Sequence, residues 1–162
     1  MVDSEEYKKA KQSLLLRLSK QAIHSAQAKK ILLGKGFSAA VAEAVGLHLQ
    51  EKGVIQDENW LQAYICAKKK KYGAQRLQQN LRQKGITLPL SSLALSKEDE
   101  HEALIRLLCS RYRQKNLLNP KERSSVFASL ARRGFTGASI QHAFKIFLEK
   151  QTSRANLDAQ ET

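Results

Sequence analysis

The sequence predicts an all-helical protein built from three similar helical repeats, and three observations lead to this fold class. Good helix formers (Ala, Leu, Lys, Gln, Glu and Arg) dominate the 162 residues, and runs of β-branched residues are absent. Only two prolines and eight glycines interrupt the chain. A glycine-centred motif recurs at a fixed period, which is typical of stacked helical units.

The recurring motif consists of a cation, a glycine, an apolar residue and a hydroxyl residue. It reads Lys-Gly-Phe-Ser, Lys-Gly-Ile-Thr and Arg-Gly-Phe-Thr, and successive copies lie 49 residues apart. A glycine after a cation is typical of a helix end, because glycine adopts the left-handed conformation at little steric cost. We expect the apolar residue to contact the leucine five residues earlier, and the hydroxyl residue to cap the next helix. The predicted turn residues are Gly36, Phe37, Gly85, Ile86, Gly134 and Phe135.

Residues 1–52 form the first predicted repeat, which contains three helices. Leu14 and Leu18 lie on one face of the first helix, and Ser25 is positioned to open the second. Ser38 is expected to open the third helix, in which apolar residues recur at four-residue intervals. The serines and the recurring glycine therefore set the predicted boundaries of these helices.

Residues 53–95 form the second predicted repeat. Asp57 is expected to cap a helix that bears two aromatic residues, and residues 74–84 form the next helix before a short third one. Aromatic residues at core spacing predict packing rather than a surface on which nucleic-acid bases stack. The aromatic residues that we assign to packing are Trp60, Tyr64, Phe135 and Phe144.

Residues 96–149 form the third predicted repeat. Ser96 begins a capping pattern for its first helix, and Asn119, followed by a proline, does so for the second. Thr136 opens the last helix. Residues 150–162 lack apolar periodicity and are expected to form a frayed C-terminal tail.

No constellation of catalytic or metal-binding residues is apparent, so we predict a non-enzymatic protein without a metal or cofactor. The four histidines are scattered, and none has an acid or cysteine at a spacing typical of a site. The GK[ST] pattern of phosphate-binding loops is missing. Cys66 and Cys109 lie in apolar stretches without a metal-ligand spacing, and we interpret them as two buried thiols.

The sequence favours a cytoplasmic location without a membrane anchor. Its first residues are acidic and lack an apolar signal segment. No apolar run approaches the ~20 residues that span a bilayer.

Positive charge is spread along the whole chain. The formal net charge is +13, and the three predicted repeats carry +4, +5 and +4. Such a field favours a polyanionic or acidic partner, although a basic surface without a specific partner has the same composition. Four consecutive lysines are interpreted either as a solvated helix end or as a contact to phosphates or an acidic surface. The candidate contact residues are Lys68, Lys69, Lys70, Lys71, Arg76, Arg82, Lys84, Arg132 and Arg133.

The second repeat resembles the central repeat of the RecX family, whose members regulate the RecA recombinase. The residues that carry the resemblance are Gly53, Val54, Ile55, Gln56, Asp57, Trp60, Lys68, Tyr72, Gly73, Arg76, Leu77, Leu81, Lys84, Gly85 and Ile86. The resemblance covers about residues 10–148 and implies tandem three-helix repeats that form an elongated, curved body. It also implies binding in the groove of the RecA–DNA filament, with inhibition of filament extension, ATP hydrolysis, strand exchange and co-protease activity. We expect a monomer.

Two other functions are weighed against this one. A sequence-independent DNA-binding protein would use the same lysines, and its affinity would fall steeply with salt concentration. A transcription regulator of the helix–turn–helix type is less favoured, because the helices after the glycine turns expose few side chains suited to reading bases. Direct contact with DNA stays open beside binding to RecA.

Overall fold

A computed structural model describes residues 4–158 of the chain. All regular secondary structure in this range is helical. Eight α-helices and one short 3₁₀ helix occur in this range, and no strand does. The prediction of an all-helical fold is therefore confirmed. The α-helices are α1 (Ser4–Leu18), α2 (Ser25–Gly34), α3 (Ala39–Glu51), α4 (Asp57–Lys68), α5 (Ala74–Gln83), α6 (Lys97–Arg111), α7 (Pro120–Arg132) and α8 (Gly137–Asp158). The 3₁₀ helix covers Leu90–Leu93.

The chain divides into two compact units. The N-terminal unit comprises Met1–Ile65 and Asn80–Thr87, and the C-terminal unit comprises Cys66–Gln79 and Leu88–Thr162. Helices α4 and α5 therefore each supply residues to both units. The division into three repeats stays a prediction.

The core of the N-terminal unit is formed by α1, α2, α3 and the segments that follow them. Leu14 and Leu32 are completely buried, and burial of one such side chain stabilises a fold by about 1.5–3 kcal/mol. In α3 the buried positions Val41, Val45 and Leu49 lie four residues apart, so they share one face of the helix. The other buried members of this cluster are Ala10, Ile23, Ala28, Ala42 and Ile55.

The core of the C-terminal unit is formed by α6, α7, α8 and the α6–α7 loop. Phe135 and Phe144 are buried in it, which confirms that these two aromatic residues pack in a core. The remaining buried members are Ala103, Leu104, Leu107, Leu108, Leu117, Val126, Leu130, Ile140, Ala143 and Phe147. The buried residues of α6 and α8 recur at intervals of three and four, as expected for helices that each bury one apolar face.

The three recurring glycines end their helices with the same hydrogen bonds. The φ angles of Gly36, Gly85 and Gly134 are +86°, +84° and +84°. In each turn the N–H of the residue after the glycine donates to the carbonyl of a leucine five residues earlier, over 3.2, 2.9 and 3.5 Å. The N–H of the glycine itself donates to the carbonyl three residues earlier. This pair of bonds is the Schellman motif, which satisfies carbonyls that a helix end leaves open.

A fourth turn of this kind lies outside the 49-residue period. Gly53 has a φ angle of +67°, and the N–H of Val54 donates to the carbonyl of Leu49 over 2.9 Å.

The hydroxyl residues after the periodic glycines differ in whether they cap the next helix. Ser38 caps α3, whereas the helix after Thr87 begins at residue 90 with a proline as its cap, so that predicted cap is wrong.

The last helix is longer than the sequence analysis predicts. Helix α8 continues to Asp158, so the expected frayed segment from residue 150 begins inside a helix. Residues 159–162 of that predicted tail lie outside the described residues. Within residues 4–158, none of the helices combines the length and the apolar character required to cross a membrane.

Candidate functional site

The four consecutive lysines surround the C-terminal end of α4. The helix ends at Lys68, and the N–H groups of Lys71 and Tyr72 donate to the carbonyl of Lys68 over 2.9 and 3.1 Å. The side chains of Lys68, Lys70 and Lys71 are exposed. The negative end of the helix dipole favours cations at this position, so the local backbone stabilises the cluster without an acidic partner.

Lys69 differs from its three neighbours because it forms an ion pair. Its Nζ lies 2.7 Å from Asp99 Oδ1, at the start of α6. Asp99 also completes a capping box, since its N–H donates to Ser96 Oγ and its other oxygen accepts from the Ser96 N–H. The hydrogen bond from Lys69 lowers the pKa of Asp99, and the same bond raises the pKa of Lys69. Lys69 therefore holds α6 in place instead of presenting a free charge.

Three of the predicted contact residues meet in the C-terminal unit although they are distant in the sequence. Arg133 Nη1 donates to the carbonyl of Lys71 over 3.4 Å, and the Arg133 carbonyl accepts from the N–H of Gly73 over 2.9 Å. The backbone of Arg76 lies directly against Gly134. We call Lys71, Arg76 and Arg133 the central basic cluster. Lys68, Lys70 and Arg132 adjoin its members in the sequence and are exposed.

Arg82 and Lys84, the other two predicted contacts, belong to the N-terminal unit. Arg82 is exposed in the last turn of α5. Lys84 Nζ lies 5.8 Å from the centre of the Tyr64 ring, a distance typical of a cation–π contact. Lys84 is therefore half-buried and partly engaged within its own unit.

The aromatic residues of α4 form a stack at the surface rather than a core. The Trp60 and Tyr64 rings lie 5.0 Å apart and nearly parallel, and neither residue is buried. Both rings pack on protein side chains, as predicted, but they are half-buried and belong to neither core cluster. The edge of His24 meets Trp60 on one side, and Lys84 lies over Tyr64 on the other. Since other side chains contact both rings in this way, the stack offers little room for nucleic-acid bases.

Asp57 joins three segments of the N-terminal unit. Its Oδ1 accepts from the N–H of Ser25 over 2.7 Å, and its Oδ2 accepts from Ser25 Oγ and from Gln50 Nε2. The expectation that Asp57 caps its own helix is therefore wrong, because the carboxylate serves the start of α2. No sequence signal marks this role, since the partners lie 32 and 7 residues away.

Helix α2 begins at Ser25, as predicted, but the side chain that caps it is that of His24. Its Nδ1 accepts from the N–H of Ala26 over 3.1 Å and lies 3.6 Å from Asp57 Oδ1. Burial lowers the pKa of His24, and the nearby Asp57 offsets part of this effect. Sequence spacing gives no sign of this contact between a histidine and an acid, which serves a helix cap.

Both cysteines are exposed in the structure. The prediction of two buried thiols is wrong, because Cys66 and Cys109 lie on the outer faces of α4 and α6. Apolar neighbours in the sequence do not decide burial here, since Leu108 beside Cys109 is buried whereas Ala67 beside Cys66 is itself exposed.

Comparisons with known proteins give one consistent result. No family model matches the chain. Over 129 residues the chain is 31% identical to the regulatory protein RecX of Neisseria gonorrhoeae, which covers 79% of this chain and 84% of that protein. It is 30% identical to the regulatory protein RecX of Neisseria meningitidis over the same length.

Two crystal structures share the fold. RecX from Lactobacillus salivarius superimposes with a TM-score of 0.71 at 19% identity, over 89% of this chain and 97% of that one. A second crystal structure, of a regulatory protein RecX, gives a TM-score of 0.69 at 21% identity, over 85% of this chain and 72% of that one. At such low identity these structures show the fold alone. The sequence relationship to the neisserial proteins, which extends over most of both chains, shows that this chain belongs to the RecX family of regulatory proteins.

Proposed function

We propose that the protein regulates the RecA recombinase by binding the RecA–DNA filament and lowering its ATPase, strand-exchange and co-protease activities. Membership of the RecX family supports a regulatory role. In this proposal the protein acts as a monomer in the cytoplasm, without a cofactor and without catalysing a reaction itself.

The central basic cluster is the observation that carries the proposal. The Arg133 guanidinium donates to the backbone carbonyl of Lys71 across 62 residues of sequence, and the exposed residues Lys68, Lys70 and Arg132 lie within three residues of these two in the sequence. Lys71 and Arg133 carry charges of the same sign on two segments that the fold brings together, and exposed charges act over a Debye length of about 10 Å at 0.1 M ionic strength. A fold that gathers them gains most when a polyanionic partner neutralises them.

A RecA–DNA filament offers two kinds of anion to such a cluster. Lysine presents a compact charge suited to phosphate, whereas the planar guanidinium of Arg76 or Arg132 can bind a carboxylate or a phosphate with two hydrogen bonds. The cluster can therefore contact acidic side chains of the protein partner, phosphates of its DNA, or both. Bound protein would resist the changes in the filament that accompany extension and ATP hydrolysis.

The DNA-dependent ATPase of RecA tests this proposal. We expect substoichiometric protein to slow ATP hydrolysis, and the triple variant Lys68→Ala, Lys70→Ala, Lys71→Ala to require a much higher concentration for the same effect. Lys69 is left unchanged because it pairs with Asp99. The matched control removes three exposed lysines elsewhere, with Lys8→Ala, Lys9→Ala and Lys20→Ala. Unchanged ATPase at equimolar protein in low salt would contradict the proposal.

Sequence-independent DNA binding without RecA is the second candidate, favoured by the net charge of +13. It predicts that fluorescence anisotropy detects duplex binding at about 50 mM salt and that the affinity falls steeply with increasing salt. If the triple variant no longer binds duplex DNA, and adding RecA does not change duplex binding by the unaltered protein, sequence-independent DNA binding is the better description of the function.

A further inference from the structure

The loop between α6 and α7, residues 112–119, is built from two consecutive turns with several fixed points. The N–H of Lys115 donates to the carbonyl of Tyr112 over 2.9 Å, and the N–H of Asn119 donates to that of Asn116 over 3.1 Å. The Tyr112 hydroxyl lies 2.7 Å from Ser129 Oγ on α7. Leu117 is completely buried in the core of the C-terminal unit. The loop is therefore held in one conformation rather than loosely attached.

The same loop directs the side chain of Leu118 into solvent. Leu118 is 76% exposed, although its neighbour Leu117 is 0% exposed. The N–H of Leu118 donates to Asn116 Oδ1 over 3.0 Å, which fixes the backbone that turns this side chain outward. A partner that covers this side chain would remove apolar surface from water, and this burial would favour binding.

The surroundings of Leu118 are strongly basic. Residues 111–123 contain five cations and a single acid. That acid, Glu122, accepts a hydrogen bond from the N–H of Asn116 over 2.9 Å, so its charge is used to hold the loop. The cations of the segment, all exposed, are Arg111, Arg113, Lys115, Lys121 and Arg123.

We propose that this loop is a duplex DNA-binding element, separate from the central basic cluster. Arg113 and Lys115 neutralise backbone phosphates, and Leu118 makes an apolar contact within the groove between them. Proteins that bind the minor groove combine cations with apolar wedges such as leucine in this way. A single strand fits the loop less well, because its one aromatic residue, Tyr112, is half-buried with its hydroxyl engaged. The inference does not depend on RecA as a partner.

Anisotropy of a fluorescent duplex, measured without RecA over a range of salt concentrations, tests the proposal. The double variant Arg113→Ala, Lys115→Ala should bind roughly tenfold or more weakly at about 50 mM salt, with a log–log salt slope reduced by about 1.8. Leu118→Ser should weaken binding while leaving the slope unchanged, because it removes no cation. The control Lys8→Ala, Lys9→Ala has the same loss of charge on α1.

Either of two outcomes would overturn the inference. The first is absence of duplex binding by the unaltered protein at about 50 mM salt. The second is a double variant that binds duplex as tightly as the control does. If that variant also no longer slows the RecA ATPase, the loop is a contact to protein instead of DNA. Since the binding assay contains no RecA, failure of the regulatory proposal leaves its result unaffected.

Discussion

The backbone of Gly73 lies directly against the backbone of Gly134. The N–H of Gly73 donates to the carbonyl of Arg133 over 2.9 Å. A Cβ atom on Gly73 would collide with the carbonyl group of Gly134 and would lie 2.7 Å from the nitrogen of Phe135. The absence of a side chain at both positions therefore lets the segment before α5 contact the turn after α7, which assembles the central basic cluster.

We predict that Gly73→Ala destabilises the protein by about 1–3 kcal/mol, because the methyl group overpacks a contact between two backbones. Chemical denaturation with circular dichroism measures this change. Gly34→Ala is the control, since no atom lies within 4 Å of its Cβ position and Gly34 is helical. It should stabilise α2 by about 0.5–1 kcal/mol. Equal stability of Gly73→Ala and the unaltered protein would show that the close approach does not occur.

The recurring turn glycines should differ in their sensitivity to alanine. Gly36→Ala and Gly85→Ala should each cost about 1–2 kcal/mol, because the left-handed conformation is unfavourable but the Cβ position has space. Gly85→Val should cost at least as much, since a β-branched residue is disfavoured there. Gly134→Ala should cost more than either, because its Cβ would collide with the backbone of Arg76. Melting temperatures that rank Gly134→Ala as the mildest of the alanine variants would contradict this order.

His24 should make stability depend on pH. Burial lowers its pKa in the folded state from the ordinary value of 6.5, so the unfolded chain binds a proton more readily. This stabilisation is complete above about pH 6.5 and is lost as the pH falls through the lowered pKa. We expect His24→Asn, which retains a capping side chain without a titrating group, to show a smaller drop in melting temperature between about pH 8 and about pH 5. Parallel pH profiles for the two proteins would contradict this assignment.

Variants of the adjacent residues Lys69 and Lys70 should differ, one in the stability of the protein and the other in inhibition of RecA. Lys69→Met removes the partner of Asp99 and should lower the melting temperature slightly, because the pair is accessible to solvent, whereas Lys70→Met should leave the melting temperature unchanged. In the RecA ATPase assay Lys70→Met should be the weaker inhibitor at matched fractions of folded protein. The assignment fails if Lys70→Met is the less stable variant of the two.

Local features of the fold could be predicted from the sequence. The turn at Gly36 requires a glycine at the end of a helix and an apolar residue five positions after a leucine. Both requirements are met within residues 32–37. The capping box at Ser96 and Asp99 and the cap at Asn119 are equally local. In these segments neighbouring residues determine the conformation, so the pattern alone is sufficient.

Contacts over long sequence distances account for some of the differences between expectation and structure, and local geometry accounts for others. Lys69 looks like its neighbours in the sequence, and only Asp99, 30 residues away, makes it different. Trp60 and Tyr64 have the spacing of core residues, yet both side chains are only half-buried on α4. The cap expected at Thr87 is absent because Pro89 delays the next helix, and a proline favours an extended residue before it.

The carboxylate of Asp57 also limits how far this part of the chain can diverge. Its two oxygens satisfy separate donors on Ser25 and Gln50. An amide would turn one acceptor into a donor that faces another donor, and glutamate would add a methylene group to a fixed distance. Neither asparagine nor glutamate can therefore replace Asp57 without disturbing these hydrogen bonds, so position 57 tolerates little change.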